Sequence, residues 1–123
     1  ERDVHVTAST GTAAVNIGGR TLHSFAGIGL GEGQFTKLLS MVYRNKIASQ
    51  NWKYGKVLII DEISMIDARL FALLDKIGRA MRAKDKPFGG IQLVLCGDFL
   101  QLPPVVKGRE MEFCFEAKAW SDC

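Results

Sequence analysis

The stretch that decides the fold is "VLIIDEISMID", residues 57–67, in which four aliphatic residues run directly into two adjacent carboxylates. A second run, "IQLVLC" (91–96), is apolar at nearly every position, and "VHVTA" (4–8) is a third short run. Such runs are typical of strands in a parallel sheet that is covered on both faces. Asp61 should therefore lie at the carboxyl end of a buried strand, where open α/β sheets bind ligands.

Helical patterns lie between these strands. "STGTAAVNI" follows the first strand and offers Ser9 and Thr10 as N-caps. Residues 35–44 predict a second helix, and a third begins near Asp67 with apolar residues at spacings of 3, 4 and 7. Strands that alternate with helices predict a three-layer α/β domain with a mainly parallel sheet, doubly wound or RecA-like.

The composition is that of a globular protein of one domain. The chain has 123 residues, of which 47% are hydrophobic and 24% charged, and its net charge is +3. A mildly basic chain is compatible with nucleic acid but also with other partners. No apolar stretch approaches the roughly 20 residues that span a bilayer, and the N-terminus lacks a signal-peptide pattern. The absence of an initiator Met suggests a piece of a longer chain.

The three cysteines form no CxxC motif, and we expect reduced thiols, with Cys96 behaving as a small hydrophobe inside its strand.

A hydrophobic strand that ends in Asp-Glu is the Walker B arrangement of nucleotide hydrolases. There Asp61 would hold Mg²⁺, usually through water, and Glu62 would orient or deprotonate the attacking water. The alternative is an ordinary strand end followed by acids at a helix start. After the second strand, "GDFLQLPPV" places Gln101 at the same edge, where a neutral amide could sense the γ-phosphate. Without the acid pair, Gln101 would be an ordinary polar loop residue.

The segment "TASTGTAAVNIGGRTLHSFAGIG" carries hydroxyl residues into a helix start, where free backbone N–H groups favour an anion. Thr10 and Gly11 are the candidates for gripping a phosphate of ATP or of nucleic acid, although ordinary capping explains them equally well. The residues that follow combine a positive charge, two hydrogen-bonding side chains and an aromatic ring. Surfaces that bind single-stranded nucleic acid use this combination. These residues are Arg20, Thr21, His23 and Phe25. A His beside a Phe also occurs in ordinary cores.

No GxxxxGK[ST] loop is present in the sequence. Its only Gly-Lys pair, Gly55 and Lys56, precedes a strand instead of opening a helix. Either the chain is a fragment that begins after such a loop, or it is not an ATPase.

Together with "KPFGGIQLVLCGDFLQLPPV", these blocks resemble the Pif-type DNA helicases, named for petite integration frequency, of helicase superfamily 1B. The resemblance covers about residues 4–122. It implies an incomplete first RecA-like motor domain, with a DNA-contact motif at about 6–27, a Walker B motif at about 57–66 and a sensor motif at about 91–105. The missing P-loop strand would lie beside residues 91–96, leaving an exposed apolar edge.

The resemblance implies an ATP-driven motor that moves 5′ to 3′ along single-stranded DNA and opens forked duplexes, G-quadruplexes and RNA–DNA hybrids. Such motors act in DNA repair, recombination, replication and telomere maintenance. On this chain, Asp61 would bind Mg²⁺, Glu62 would activate water, and Gln101 would sense the γ-phosphate of ATP. The DNA-facing residues would be Thr10, Gly11, Thr21 and His23, with Arg20 at a position where many relatives have Thr.

The partners implied are single-stranded DNA and the rest of the parent helicase, including its P-loop and second RecA-like domain. The compartment would be the nucleus or mitochondrion in a eukaryote and the cytoplasm otherwise, with no membrane partner. Two alternatives stay open, a RecA-like or AAA-type ATPase acting on proteins and a non-catalytic nucleic-acid-binding module. The isolated chain should hydrolyse little or no ATP.

Overall fold

Four parallel strands form the sheet in the computed structural model, which describes residues 3–97. They are β1 (Val4–Ala8), β2 (Arg20–Thr21), β3 (Val57–Asp61) and β4 (Gln92–Leu95), in the order β2-β1-β3-β4. Ala8 pairs with both Thr21 and Asp61, and Ile60 pairs with Leu95. This register brings the carboxyl ends of all four strands to one edge of the sheet.

Five helices connect the strands: α1 (Gly11–Asn16), α2 (Leu22–Ala26), α3 (Phe35–Arg44), α4 (Lys46–Tyr54) and α5 (Ala68–Arg82). Single 3₁₀ turns occupy Ile63–Met65 and Pro87–Gly90. The predicted α3 and the predicted start of α5 are confirmed, since the Asp67 carboxylate accepts from the Leu70 N–H at 2.9 Å. Of the two candidate N-caps of α1, Thr10 is the one found. No helix of residues 3–97 is long and apolar enough to cross a membrane.

The core lies against one face of the sheet. Leu58 and Ile60 of β3 are fully buried there with the large side chains of the helices, among them Phe25, Trp52, Phe71 and Leu74. The opposite face carries Ile59, which is half-buried, and Val94, which is 38% exposed. On this face Ala8 of β1 is fully buried, so within residues 3–97 the cover that we expected on both faces is complete at the end of β1 and only partial over β3 and β4.

β4 forms one edge of the sheet within residues 3–97. It pairs with β3 alone in the described part of the chain, and Val94 is partly exposed there. The expectation for Cys96 is wrong, because this residue lies just beyond β4 and is exposed.

The turn before β4 is fastened to α5 by polar contacts. Asp75 is buried and accepts from the Phe88 N–H at 2.8 Å, while Arg79 donates to both of its carboxylate oxygens at 3.1 Å. Arg82 donates from Nε to the Gly89 carbonyl at 2.7 Å and from Nη1 to carbonyls at the end of α4. Those acceptors are Trp52, Lys53 and Gly55. Arg82 therefore joins α5, α4 and the turn before β4.

Candidate nucleotide and nucleic-acid site

Asp61 and Glu62 lie at the carboxyl edge of the sheet, each partly exposed. Asp61 ends β3, and Glu62 adopts a left-handed backbone conformation with φ 56° and ψ 44°. That conformation is uncommon for a residue other than Gly and costs about 1–2 kcal/mol. It turns the chain sharply into the 3₁₀ turn that follows, so the Glu62 side chain stands at the rim instead of continuing the strand.

Backbone hydrogen bonds join the exits of three strands around this acid pair. The Ser9 N–H donates to the Asp61 carbonyl at 3.3 Å, which ties the exit of β1 to that of β3. The Ile63 N–H donates to the Cys96 carbonyl at 2.9 Å, which ties β3 to the exit of β4. The acid pair is therefore held between two neighbouring strand ends.

Gly97 fits closely against the backbone that follows Glu62. A Cβ atom at Gly97 would lie 2.9 Å from the Ile63 nitrogen and 3.5 Å from the Glu62 carbonyl carbon, and its φ is +149°. Gly97 thus allows the exit of β4 to touch the Glu62–Ile63 peptide. Gln101, four residues further along the chain, lies outside the described residues.

Two serine hydroxyls at this edge are buried without a hydrogen-bond partner among residues 3–97, namely Ser9 Oγ and Ser64 Oγ. An unpartnered buried hydroxyl costs about 1–3 kcal/mol. Ser64 belongs to the turn directly after Glu62, and Ser9 follows β1. Both therefore offer free hydrogen-bonding groups close to the acid pair.

Thr21 and His23 line an open groove of about 1030 Å³, and Ser9 lines the same groove from the exit of β1. The Thr21 hydroxyl caps α2 by accepting from the Ser24 N–H at 3.2 Å. His23 is half-buried, and burial lowers the pKa of its imidazole below the ordinary value of 6.5. The neutral ring donates one hydrogen bond from its protonated nitrogen and accepts one at the other.

The other predicted DNA residues lie near this groove without lining it. Thr10 accepts from the Ala13 N–H at 3.2 Å, so its hydroxyl is engaged in capping α1, and Gly11 begins that helix in an exposed position. Arg20 is exposed on the edge strand β2. The expectation that Phe25 stacks on a base is wrong, because its ring is fully buried between His5 and Trp52.

Sequence reasoning missed part of the groove. The groove is also lined by residues of α2, of α3 and of the segments that follow them, among them Ser24, Leu30, Met41, Arg44 and Asn45. The signal for Arg44 was available in the charge distribution, because residues 33–60 contain five basic side chains and no acid. No sequence pattern marks Leu30, which is 82% exposed in the loop after α2.

The donor set at the rim suits Mg²⁺ that arrives with a nucleotide. No group of three or more His, Cys, Asp or Glu side chains that could enclose a metal occurs in residues 3–97. Mg²⁺ is commonly bound through one or two carboxylates together with waters and substrate phosphates. Asp61 and Glu62 match that smaller requirement.

A family model described as PIF1-like helicase matches residues 1–123. The chain belongs to the PIF1-like helicase family. The ATP-dependent DNA helicase PIF1 of Candida albicans is 53% identical over 131 residues, which cover 98% of this chain and 14% of that relative. The chain thus spans a small part of the curated relatives that it matches.

Solved structures of the family agree with the fold. The crystal structure of Pif1 helicase from Candida albicans matches with a TM-score of 0.93 and 55% identity, covering 98% of this chain and 27% of that one. Pif1 helicase from Bacteroides in complex with ADP-AlF3 and ssDNA matches with a TM-score of 0.80 and 33% identity, covering 99% and 30%. These likenesses confirm the RecA-like α/β fold that the sequence predicted.

Proposed function

We propose that the protein containing this chain is an ATP-dependent DNA helicase that couples hydrolysis to 5′-to-3′ movement along single-stranded DNA. One observation carries the proposal: Ser9, which lines the groove with Thr21 and His23, donates its backbone N–H to the Asp61 carbonyl at 3.3 Å. Relatives named ATP-dependent DNA helicase and a Bacteroides Pif1 bound to ADP-AlF3 and ssDNA support the same assignment.

In this proposal the acid pair serves nucleotide hydrolysis. Bound Mg²⁺ would neutralise charge on the phosphates, and Asp61 would hold it through water. Glu62 would orient the attacking water and accept its proton, a role that typically contributes about 10²–10⁴ in rate. The backbone contacts of Gly97 and Ile63 fix the position of Glu62, which matters because phosphoryl transfer depends chiefly on positioning.

The groove would hold single-stranded DNA. Thr21 and His23 would meet the strand directly, while Arg20, Thr10 and Gly11 would flank it from β2 and the start of α1. Because such binding relies on phosphates and base stacking, it should be largely independent of sequence and weakened by salt. Movement of the DNA in this groove would be transmitted to Asp61 through the hydrogen bond from Ser9 at the end of β1.

Finer assignments follow from the family resemblance. Gln101 would sense the γ-phosphate and couple hydrolysis to movement. The substrates would include forked duplexes, G-quadruplexes and RNA–DNA hybrids, in repair, recombination, replication and telomere maintenance. The compartment would be the nucleus or mitochondrion in a eukaryote and the cytoplasm otherwise. The P-loop and a second RecA-like domain would come from other parts of the parent protein.

The deciding experiment replaces Glu62 by Gln in the full-length parent protein. We expect DNA-stimulated ATP hydrolysis to fall by at least about 10², with ATP binding retained, and strand displacement to be lost. Glu32→Gln is the matched control, since it makes the same chemical change at an exposed loop position. Hydrolysis close to wild type in Glu62→Gln would remove Glu62 from this role. Wild-type hydrolysis without strand displacement would favour an ATPase that acts on proteins.

A further inference from the structure

Residues 33–60, which include α3 and α4, carry an unusual charge distribution. This segment holds five of the 16 Lys and Arg residues of the chain and none of its 13 Asp and Glu residues. The rest of the chain is therefore slightly acidic, although the whole is basic. Within residues 3–97, only Lys56 of these five cations forms an ion pair, with Asp3 at 3.5 Å. The net positive charge of the chain therefore comes from this segment, and four of its five cations lie on α3 and α4.

Two tyrosines stand among these cations. Tyr43, near the end of α3, is 53% exposed, and Tyr54, at the end of α4, is 62% exposed. They line a second, shallow groove of about 290 Å³ with Arg44, Lys46 and Lys53. No acidic residue of the described chain lines this groove. Aromatic rings beside a positively charged groove are the groups that single-strand-binding surfaces use.

Arg44 connects the two grooves, because its side chain lines both the second groove and the one that contains Thr21 and His23. Its Nε donates to the Ser40 carbonyl at 3.4 Å, and the side chain is otherwise exposed. A strand that leaves the first groove past Arg44 would therefore meet Tyr43 next.

We propose that the groove between α3 and α4 binds a further stretch of the same single strand, with phosphates on Lys46 and Lys53 and bases on Tyr43 and Tyr54. This inference rests on the proposed function, since it extends the track from Thr21 and His23. Unpaired bases fit the observations better than a duplex, because an exposed ring stacks on a base face that a duplex hides. The alternating cations supply the sequence-independent attraction to the backbone.

The test measures the affinity of the full-length parent protein for oligo(dT) strands of increasing length. The shortest oligo(dT) strands that the wild-type protein still binds fill only the groove of Thr21 and His23. The Tyr43→Ala/Tyr54→Ala variant should therefore bind them with wild-type affinity. It should bind long strands at least about fivefold more weakly, the loss expected when one stacked base is released. Tyr43→Phe/Tyr54→Phe keeps both rings and should restore wild-type affinity.

The charge arm of the experiment uses Lys46→Glu with Lys76→Glu as its matched control. Lys76 is exposed on α5 in a groove with Phe35, at the other end of α3. On long strands, Lys46→Glu should reduce the slope of log affinity against log salt by about 0.7, the value for one phosphate contact of a single strand. Lys76→Glu should leave that slope unchanged.

Equal affinity of wild type and the double Ala variant for long strands would overturn the inference. So would an equal loss in the Phe variant, or a loss that appears only with duplex-bearing DNA. If the wild-type protein itself fails to bind short strands, the proposed function is wrong. Failure of the proposed function is therefore distinguishable from failure of the inference about the second groove.

Discussion

Replacing Gly97 by Ala should slow ATP turnover without weakening ATP binding. The added Cβ would lie 2.9 Å from the Ile63 nitrogen, whereas ordinary contacts begin at 3.4 Å. One of the two atoms must therefore retreat by about 0.5 Å. The Ile63 nitrogen also donates to Cys96 at 2.9 Å, so a retreat of that size carries this hydrogen bond to the limit of useful geometry.

The displaced nitrogen belongs to the peptide bond between Glu62 and Ile63, so the Glu62 carboxylate should move by a comparable amount. A misplacement of about 1 Å in a catalytic group can cost about 10²-fold in rate. We expect kcat for DNA-stimulated hydrolysis by the full-length parent to fall about 10- to 100-fold, with little change in KM for ATP. Steady-state assays over a range of ATP concentrations separate these two constants.

Gly90→Ala is the matched control for this experiment. Gly90 also has a positive φ, +90°, but a Cβ there would meet nothing within 4 Å. Both variants should lose about 1–3 kcal/mol of stability from backbone strain, yet only Gly97→Ala should lose turnover. If the two variants hydrolyse ATP equally well, the contact between Gly97 and the Glu62–Ile63 peptide does not position the acid.

Three further outcomes are expected. Arg82→Ala should cost about 2–4 kcal/mol of local stability, read as faster amide hydrogen exchange in the last turn of α4, because carbonyls at that end lose their donor. The control Arg69→Ala, which removes one 3.4 Å hydrogen bond to the Gly33 carbonyl, should change this local stability by less than about 0.5 kcal/mol. Equal exchange rates in the two variants would show that Arg82 does not anchor the end of α4. Burial lowers the pKa of His23, so its contribution to stability is present above pH 6.5 and is lost as pH falls through the lowered pKa; His23→Gln should flatten that dependence in denaturation curves taken between pH 7 and 5. Gln101→Ala in the parent should leave weak hydrolysis that single-stranded DNA no longer stimulates, and normal stimulation would remove Gln101 from the sensor role.

The sequence predicted those elements whose apolar pattern is strong. β1, β3 and α3 have the expected bounds, and Asp67 caps α5 as expected. These segments bury aliphatic side chains at the period of their own secondary structure, so the pattern and the packing agree. The acid pair at the end of β3 follows directly from that agreement.

The elements that the sequence missed are short or bury polar groups. β2 has two residues and α2 has five, which is too few for a periodic pattern. α4 buries Ser49 and Asn51, while Ile47 faces solvent and is 67% exposed. Its packing is polar, since Asn51 Nδ2 and Trp52 Nε1 donate to the Phe25 and Ala26 carbonyls at the end of α2. Such bonds between distant segments leave no periodic trace in the sequence.

Of the three non-glycine residues with positive φ in residues 3–97, Ala83 is the C-cap of α5, while Glu62 and Phe88 differ in what offsets their strain. Phe88 has a positive φ of 53°, and its surroundings offset this cost, because its ring is fully buried 5.1 Å from Phe71 and its N–H donates to Asp75. Glu62 carries similar strain, yet it is half-exposed and its carboxylate accepts no hydrogen bond from residues 3–97. Packing within residues 3–97 does not offset the backbone strain at Glu62. Backbone strain that lacks such compensation is typical of residues held for catalysis, which is the role that the Walker B pattern predicts for Glu62.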